Sequence, residues 1–269
     1  MESRPSRADR KKAEAAQSRA AVSTYAFRRD RQPREPDAGW SIRDAIIVIV
    51  SLVALMIAKQ LFLGWAWVAT LGPIEIVAAR ISALSLHYGL ILGILAVLAR
   101  RQGGLLGAFS LKPASLSARS VVGSLVLVVA LLLATRAAGW VYQVVARVLG
   151  WEMPPIEDTS LIELFGPGMV GWVFIVLLVV IMAPLVEELV FRKVLLDGLG
   201  TRLTPLLALV GQAAIFALFH PSPWMWGPML ALGLACGWLA QHRATLWPAI
   251  SLHMAYNAVL VAAVYYMNS

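Results

Sequence analysis

Residues 179–198, VVIMAPLVEELVFRKVLLDG, set two adjacent carboxylates, Glu187 and Glu188, and an arginine, Arg192, at the end of a hydrophobic run. Whether those charges face water or lipid decides the fold. The 269-residue chain is 59% hydrophobic and only 14% charged, with a mean hydropathy of +0.74, well outside the composition of a soluble domain. It reads as an all-α polytopic membrane helix bundle. A bilayer demands about 20 apolar residues per helical span. Seven stretches of about that length can be marked, near 45–63, 76–99, 120–142, 170–191, 203–220, 225–241 and 246–266.

The N-terminus differs in kind. Residues 1–41 are rich in Lys, Arg and Pro and hold almost nothing to bury, so a disordered basic cytoplasmic tail is expected there. About forty polar residues precede the first apolar segment, so no cleaved signal is expected and the first span is read as an anchor. With the N-terminus in the cytoplasm, most positive charges fall on that side: the tail through Arg43, then Arg100, Arg101, Lys112, Arg119, Arg192, Lys193, Arg202 and Arg243. Glu152, Glu157, Asp158 and Glu163 collect in the long segment after the third span, on the outside in this scheme. The expected location is therefore the cell membrane. The lipid bilayer is the expected partner, and no nucleic-acid partner is expected. Cys236 is the single cysteine, which excludes an intrachain disulfide and a cysteine metal cluster. Gly89 with Gly93, and Gly233 with Gly237, have the spacing that lets membrane helices approach closely.

On a helix Glu188 and Arg192 are four residues apart and can offset each other's burial. Glu187 is rotated by about 100° from that pair and has no partner in its own helix. Pro184, just upstream, removes a backbone donor and is expected to kink the helix. A lone membrane carboxylate next to a kink is a functional candidate. Its expected partners are the few polar residues downstream: His220 at the end of the fifth span, and His253 and Asn257, one turn apart in the seventh. Counted from the turn near residue 203, Glu187 and His220 reach similar depth, roughly 25 Å along the helix axes. His253 lies only about ten residues inside the membrane, a mismatch that calls for a tilted helix or an irregular connection between the fourth and fifth spans. A carboxylate in a low-dielectric pocket suits a general base that takes a proton from water. A neighbouring histidine can share that proton, and a His and Asn on a facing helix can stabilise an oxyanion. The implied reaction is hydrolysis of an amide bond at membrane depth. Gln212 and His87 are read as packing residues, with a hydrogen bond near the site as the alternative for Gln212.

Glu187, Glu188 and Arg192 form EExxxR, Phe216 and His220 form FxxxH, and His253 and Asn257 form HxxxN. In that order, each in a hydrophobic helix, they resemble the CPBP family of intramembrane endopeptidases: the type II CAAX prenyl proteases and the bacteriocin-processing or immunity proteins, also called Abi. The resemblance covers roughly 165–265 and divides the chain into the tail, residues 42–164 with the first helices and an outer loop, and 165–269 with the catalytic helices. It implies that Glu187 and His220 activate water, that His253 and Asn257 stabilise the oxyanion, and that Glu188 with Arg192 holds the helix in shape. The FxxxH motif adds Phe216 as a supporting residue. The substrate implied is a membrane-associated protein or peptide. Prenylated CAAX proteins, pheromones, bacteriocins and membrane-protein tails are all open. No cofactor is expected. The alternative is a zinc ion held by Glu187, His220 and His253, although the HExxH pattern of soluble zinc proteases is absent. A transporter or proton relay, and a noncatalytic immunity protein, are the other readings.

Overall fold

The computed structural model describes residues 39–111, 118–151, 160–220 and 222–267. The basic tail, Lys112, Glu152, Glu157 and Asp158 lie outside these. The described residues form helices and no strand. Each of the seven apolar stretches becomes a helix: α1 (Ile42–Leu63), α2 (Pro73–Ala99), α3 (Ala118–Val148), α4 (Gly168–Gly200), α5 (Pro205–Leu218), α6 (Pro223–His242) and α7 (Trp247–Met267).

Five of the seven, α1 to α4 and α7, are long and apolar enough to cross a membrane. The other two meet that criterion only in part. With 14 residues, α5 is about 21 Å long, short of a hydrocarbon core of about 30 Å. With 20 residues α6 has the length, but Pro228 and three tryptophans lower its apolarity. The outward faces carry large apolar side chains such as Leu61, Ile74, Leu133 and Leu206, as lipid contact requires. Burial separates the helices further: the apolar window of α1 is 11% buried, against 33% in α4 and α7. The last two therefore form the centre.

Local chemistry fixes the ends. Ser41 and Asp44 form a reciprocal capping box at the start of α1, so two of the orphan N–H groups there are satisfied. Beside it, buried Trp40 donates through Nε1 to the carbonyl of Ala108 at 2.9 Å, tying α1 to the short helix Leu105–Ala108 that follows α2. The start of α7 is held by the same region: Leu246 N–H donates to Ser110 O at 3.1 Å and Trp247 Nε1 to Leu111 O at 3.2 Å. Leu246 is 3% exposed, whereas Trp247, the first residue of α7, is 39% exposed.

α5 and α6 pack as a hairpin through Gly233 and Gly237. A Cβ at Gly233 would stand 3.0 Å from Cα and Cβ of Ala213, and one at Gly237 would stand 2.4 Å from Gln212 Nε2. Gly89 and Gly93 share the spacing but not the role, since nothing lies within 4 Å of a Cβ at either. Gln212 is fully buried and donates to Gly233 O at 2.9 Å, so it joins the hairpin and its packing role stands. Gly233→Ala is expected to destabilise by about 1–3 kcal/mol through overpacking. Gly89→Ala is expected to stabilise slightly, because alanine has the higher helix propensity by up to about 1 kcal/mol. Thermal melts of the two variants in detergent check the contrast.

Candidate active site

Residues 168–200 run as one helix that widens twice. Val176–Met182 and Glu188–Leu195 are π-type, with Ala183–Glu187 α-type between them. Where a kink was expected at Pro184, the helix widens in the turn just before it. The reason is local: residue 184 has no N–H to offer, so the preceding donors are free to shift. Ala183 N–H accordingly reaches Leu178 O, five residues back. π-type turns of this sort recur at functional sites because the extra residue redirects side chains.

Glu188 is fully buried and Arg192 is 1% exposed. Arg192 Nε lies 3.1 Å from Glu188 Oε2, an ion pair by distance whose alignment is too poor for a hydrogen bond. Among the described residues the two remaining guanidinium nitrogens have no hydrogen-bond acceptor, but the guanidinium carbon stands 4.1 Å from the centroid of the Phe216 ring. The aromatic face takes up part of the cationic charge. Cys236, free and buried on α6, sits beside this pair within reach of both partners.

The second carboxylate oxygen of Glu188 has a partner that sequence spacing does not reveal. Oε1 accepts from His253 Nδ1 at 2.8 Å, across 65 residues of chain. A carboxylate opposite Nδ1 fixes the proton on that nitrogen and orients the ring. His253 Nε2 then faces Glu187 Oε2 at 3.8 Å. The two glutamates therefore differ sharply in setting: the Glu188 side chain is 0% exposed and that of Glu187 is 24% exposed. Glu187 lacks a partner in its own helix, as expected, but finds one on α7. Tyr88, on α2, lies near enough to interact with its charge and carries no sequence motif that would single it out.

Phe216 ties the remaining residues to this array. Its ring centroid is 5.0 Å from that of His220, 5.8 Å from that of His253 and 5.1 Å from that of Phe191. His220 is one turn beyond Phe216 on α5, and Glu187 and Glu188 are one turn before Phe191 and Arg192 on antiparallel α4. The three polar residues therefore stand at one level, as their distances from the turn imply. His220 is not inside the helix, however, because α5 ends at Leu218 and His220 belongs to the turn into α6. Its Nδ1 faces Phe216 O at 3.0 Å, so Nδ1 donates and Nε2 is left as an acceptor. Among the described residues no hydrogen bond or ion pair joins His220 to Glu187 or His253. Asn257 Nδ2 donates to the backbone carbonyl of Val179 at 2.9 Å.

Glu187, Glu188, Arg192 and His253 thus form one connected array, with Phe216, His220 and Asn257 around it. Zinc would need three converging donors, and among the described residues no three His, Cys, Asp or Glu side chains converge closely enough to hold a metal ion. Residues 169–259, about a third of the chain, match the family described as Rce1-like, Type II CAAX prenyl endopeptidase Rce1-like, in agreement with the CPBP resemblance of the three motifs. The matched segment contains all seven motif residues. No curated protein and no solved structure gives a significant match.

Removing one member of a buried ion pair strands the other. Arg192→Met is expected to destabilise by about 3–5 kcal/mol, whereas Glu188→Gln combined with Arg192→Met recovers a large part of that loss. Melting of the purified variants in detergent measures both.

Proposed function

We propose that this chain, which carries an Rce1-like type II CAAX prenyl endopeptidase segment over residues 169–259, hydrolyses a peptide bond of a membrane-associated protein or peptide. The observation that carries this reading is the array in which His253 bridges a buried Glu188 and a partly open Glu187. A structural ion pair needs no second carboxylate 3.8 Å from the other face of the histidine. A general base does need a partly accessible carboxylate beside a hydrogen-bonding group.

In this mechanism Glu187 takes a proton from a water molecule while the Nε2 lone pair of His220 orients it. The water oxygen attacks the scissile carbonyl carbon, and the carbonyl π electrons move to oxygen. His253 acts in its doubly protonated form, in which Nδ1–H is held by Glu188 and Nε2–H points to the developing oxyanion. Asn257 supplies a second amide donor. Pre-aligned donors in a site with little water stabilise that charge far better than water does. The proton held by Glu187 then passes to the amide nitrogen as the C–N bond breaks, leaving a carboxylic acid and an amine. No step calls for a metal.

The basic tail and the positive charges near the Gly200 end of the bundle support a cytoplasmic N-terminus in the cell membrane.

Cleavage of a panel of tagged, membrane-anchored peptides by purified protein in lipid nanodiscs tests the reading. Glu187→Gln is expected to lower kcat by roughly 10²–10⁴ and His253→Ala by roughly 10²–10³, with a strong chelator leaving the wild type unchanged. Undiminished cleavage by Glu187→Gln, or loss on chelation with recovery on added zinc, overturns this mechanism.

A further inference from the structure

The backbone carbonyl of Val179 has lost both of its ordinary helical donors. In an α-helix its partner is the N–H of residue 183, but Ala183 N–H bonds to Leu178 O. In a π-type turn its partner is the N–H of residue 184, and residue 184 is proline. A carbonyl freed inside a membrane bundle has no water to turn to and must be satisfied by protein. Asn257 Nδ2, 78 residues away, supplies the donor at 2.9 Å.

That bond lies next to the candidate catalytic array. Asn257 and His253 are four residues apart on α7 and share a face. On α4, Val179 precedes Pro184 and Glu188 follows it, so α7 grips α4 on both sides of the proline. Glu187 lies between the two grips. Its distance from His253 depends on how α4 is wound between Val179 and Glu188.

We infer that Pro184 and Asn257 act as one positioning device: the proline frees the Val179 carbonyl, Asn257 captures it, and the clamp sets where Glu187 stands relative to His253. The contact stands on geometry, and its effect on turnover rests on the endopeptidase reading. One Nδ2–H of Asn257 is committed to Val179, and only the second is left to meet a substrate. Asn257 is then a positioning residue first, and Pro184 joins it as a second one outside the three motifs.

A double-mutant cycle of Pro184→Ala and Asn257→Ala in the full chain, read by both melting temperature and kinetics, tests this. Alanine at 184 restores an N–H that can reach Val179 O, which makes the Asn257 donor redundant. Asn257→Ala is expected to lower Tm by at least about 3 °C in the wild-type background, and by less than a third of that when Pro184→Ala is present. On a cleaved peptide each single variant is expected to lose at least tenfold in kcat with KM within twofold, and the double variant is expected to be no more than about threefold below the poorer single. Should Asn257→Ala fail to fold, the clamp requires Pro184→Ala to rescue it to a measurable Tm.

Additive Tm losses, or no rescue, overturn the clamp. Coupled Tm losses with multiplying kcat losses overturn the positioning role and assign Asn257 to the substrate. If no form cleaves any peptide, the Tm cycle still decides the clamp, and it is the endopeptidase reading that fails.

Discussion

Burial of the Glu188 carboxylate is the constraint on which the rest of the site depends. An ionised carboxylate in a low-dielectric interior survives only if it is paired and hydrogen-bonded. Glu188 meets that demand from two helices at once, with Arg192 on one oxygen and His253 Nδ1 on the other. Each partner then has further consequences. Arg192 brings its unpaired guanidinium face onto Phe216, and so draws α5 against α4. His253 has its ring orientation set, and its remaining nitrogen is left facing Glu187. The geometry needed for chemistry follows from solving a burial problem.

The same constraint separates two chemically identical neighbours. Glu187 and Glu188 differ by one position, yet rotation about the helix sends one carboxylate wholly into the protein and leaves the other partly open. Glu188 has both of its oxygens engaged and is spent on structure. Glu187 keeps a longer contact of 3.8 Å to His253 and stays partly exposed. Division of labour between adjacent carboxylates therefore needs no difference in residue type, only a difference in what the facing helices present.

Local features of this design are legible in the sequence, whereas features that depend on a distant partner are not. The apolar stretches, the i and i+4 relation of Glu188 and Arg192, and the common face of His253 and Asn257 follow from helix geometry alone. So does the level shared by Glu187 and His220, which needs only the turn between α4 and α5. The bond between His253 and Glu188 joins residues 65 apart, and no spacing rule reaches that far. Gly89 and Gly93 look identical to Gly233 and Gly237 because the motif records small size and not whether a neighbouring helix is present. Pro184 is visible as a helix breaker. Its resolution into a π-type turn with a donor from α7 depends on where α7 begins, which is set by backbone contacts to Ser110 and Leu111.

The shortness of α5 bears on the same question. A helix about 21 Å long is shorter than a hydrocarbon core of about 30 Å, so a turn that ends it inside an apolar bundle needs partners of its own. Irregular backbone there is tolerated only where protein satisfies its polar groups. Here the turn is closed internally: Phe219 and His220 donate back to Ile215 and Ala217, and Trp226 Nε1 donates to His220 O at 3.0 Å. A full-length span would have buried position 220 on a helix flank, with its side chain confined to one azimuth. Ending the helix at Leu218 leaves the His220 backbone in a turn, level with Glu187, with an imidazole nitrogen unspent. The short helix thus brings a polar side chain level with Glu187 from a turn whose Phe219 and His220 N–H groups are bonded within the chain.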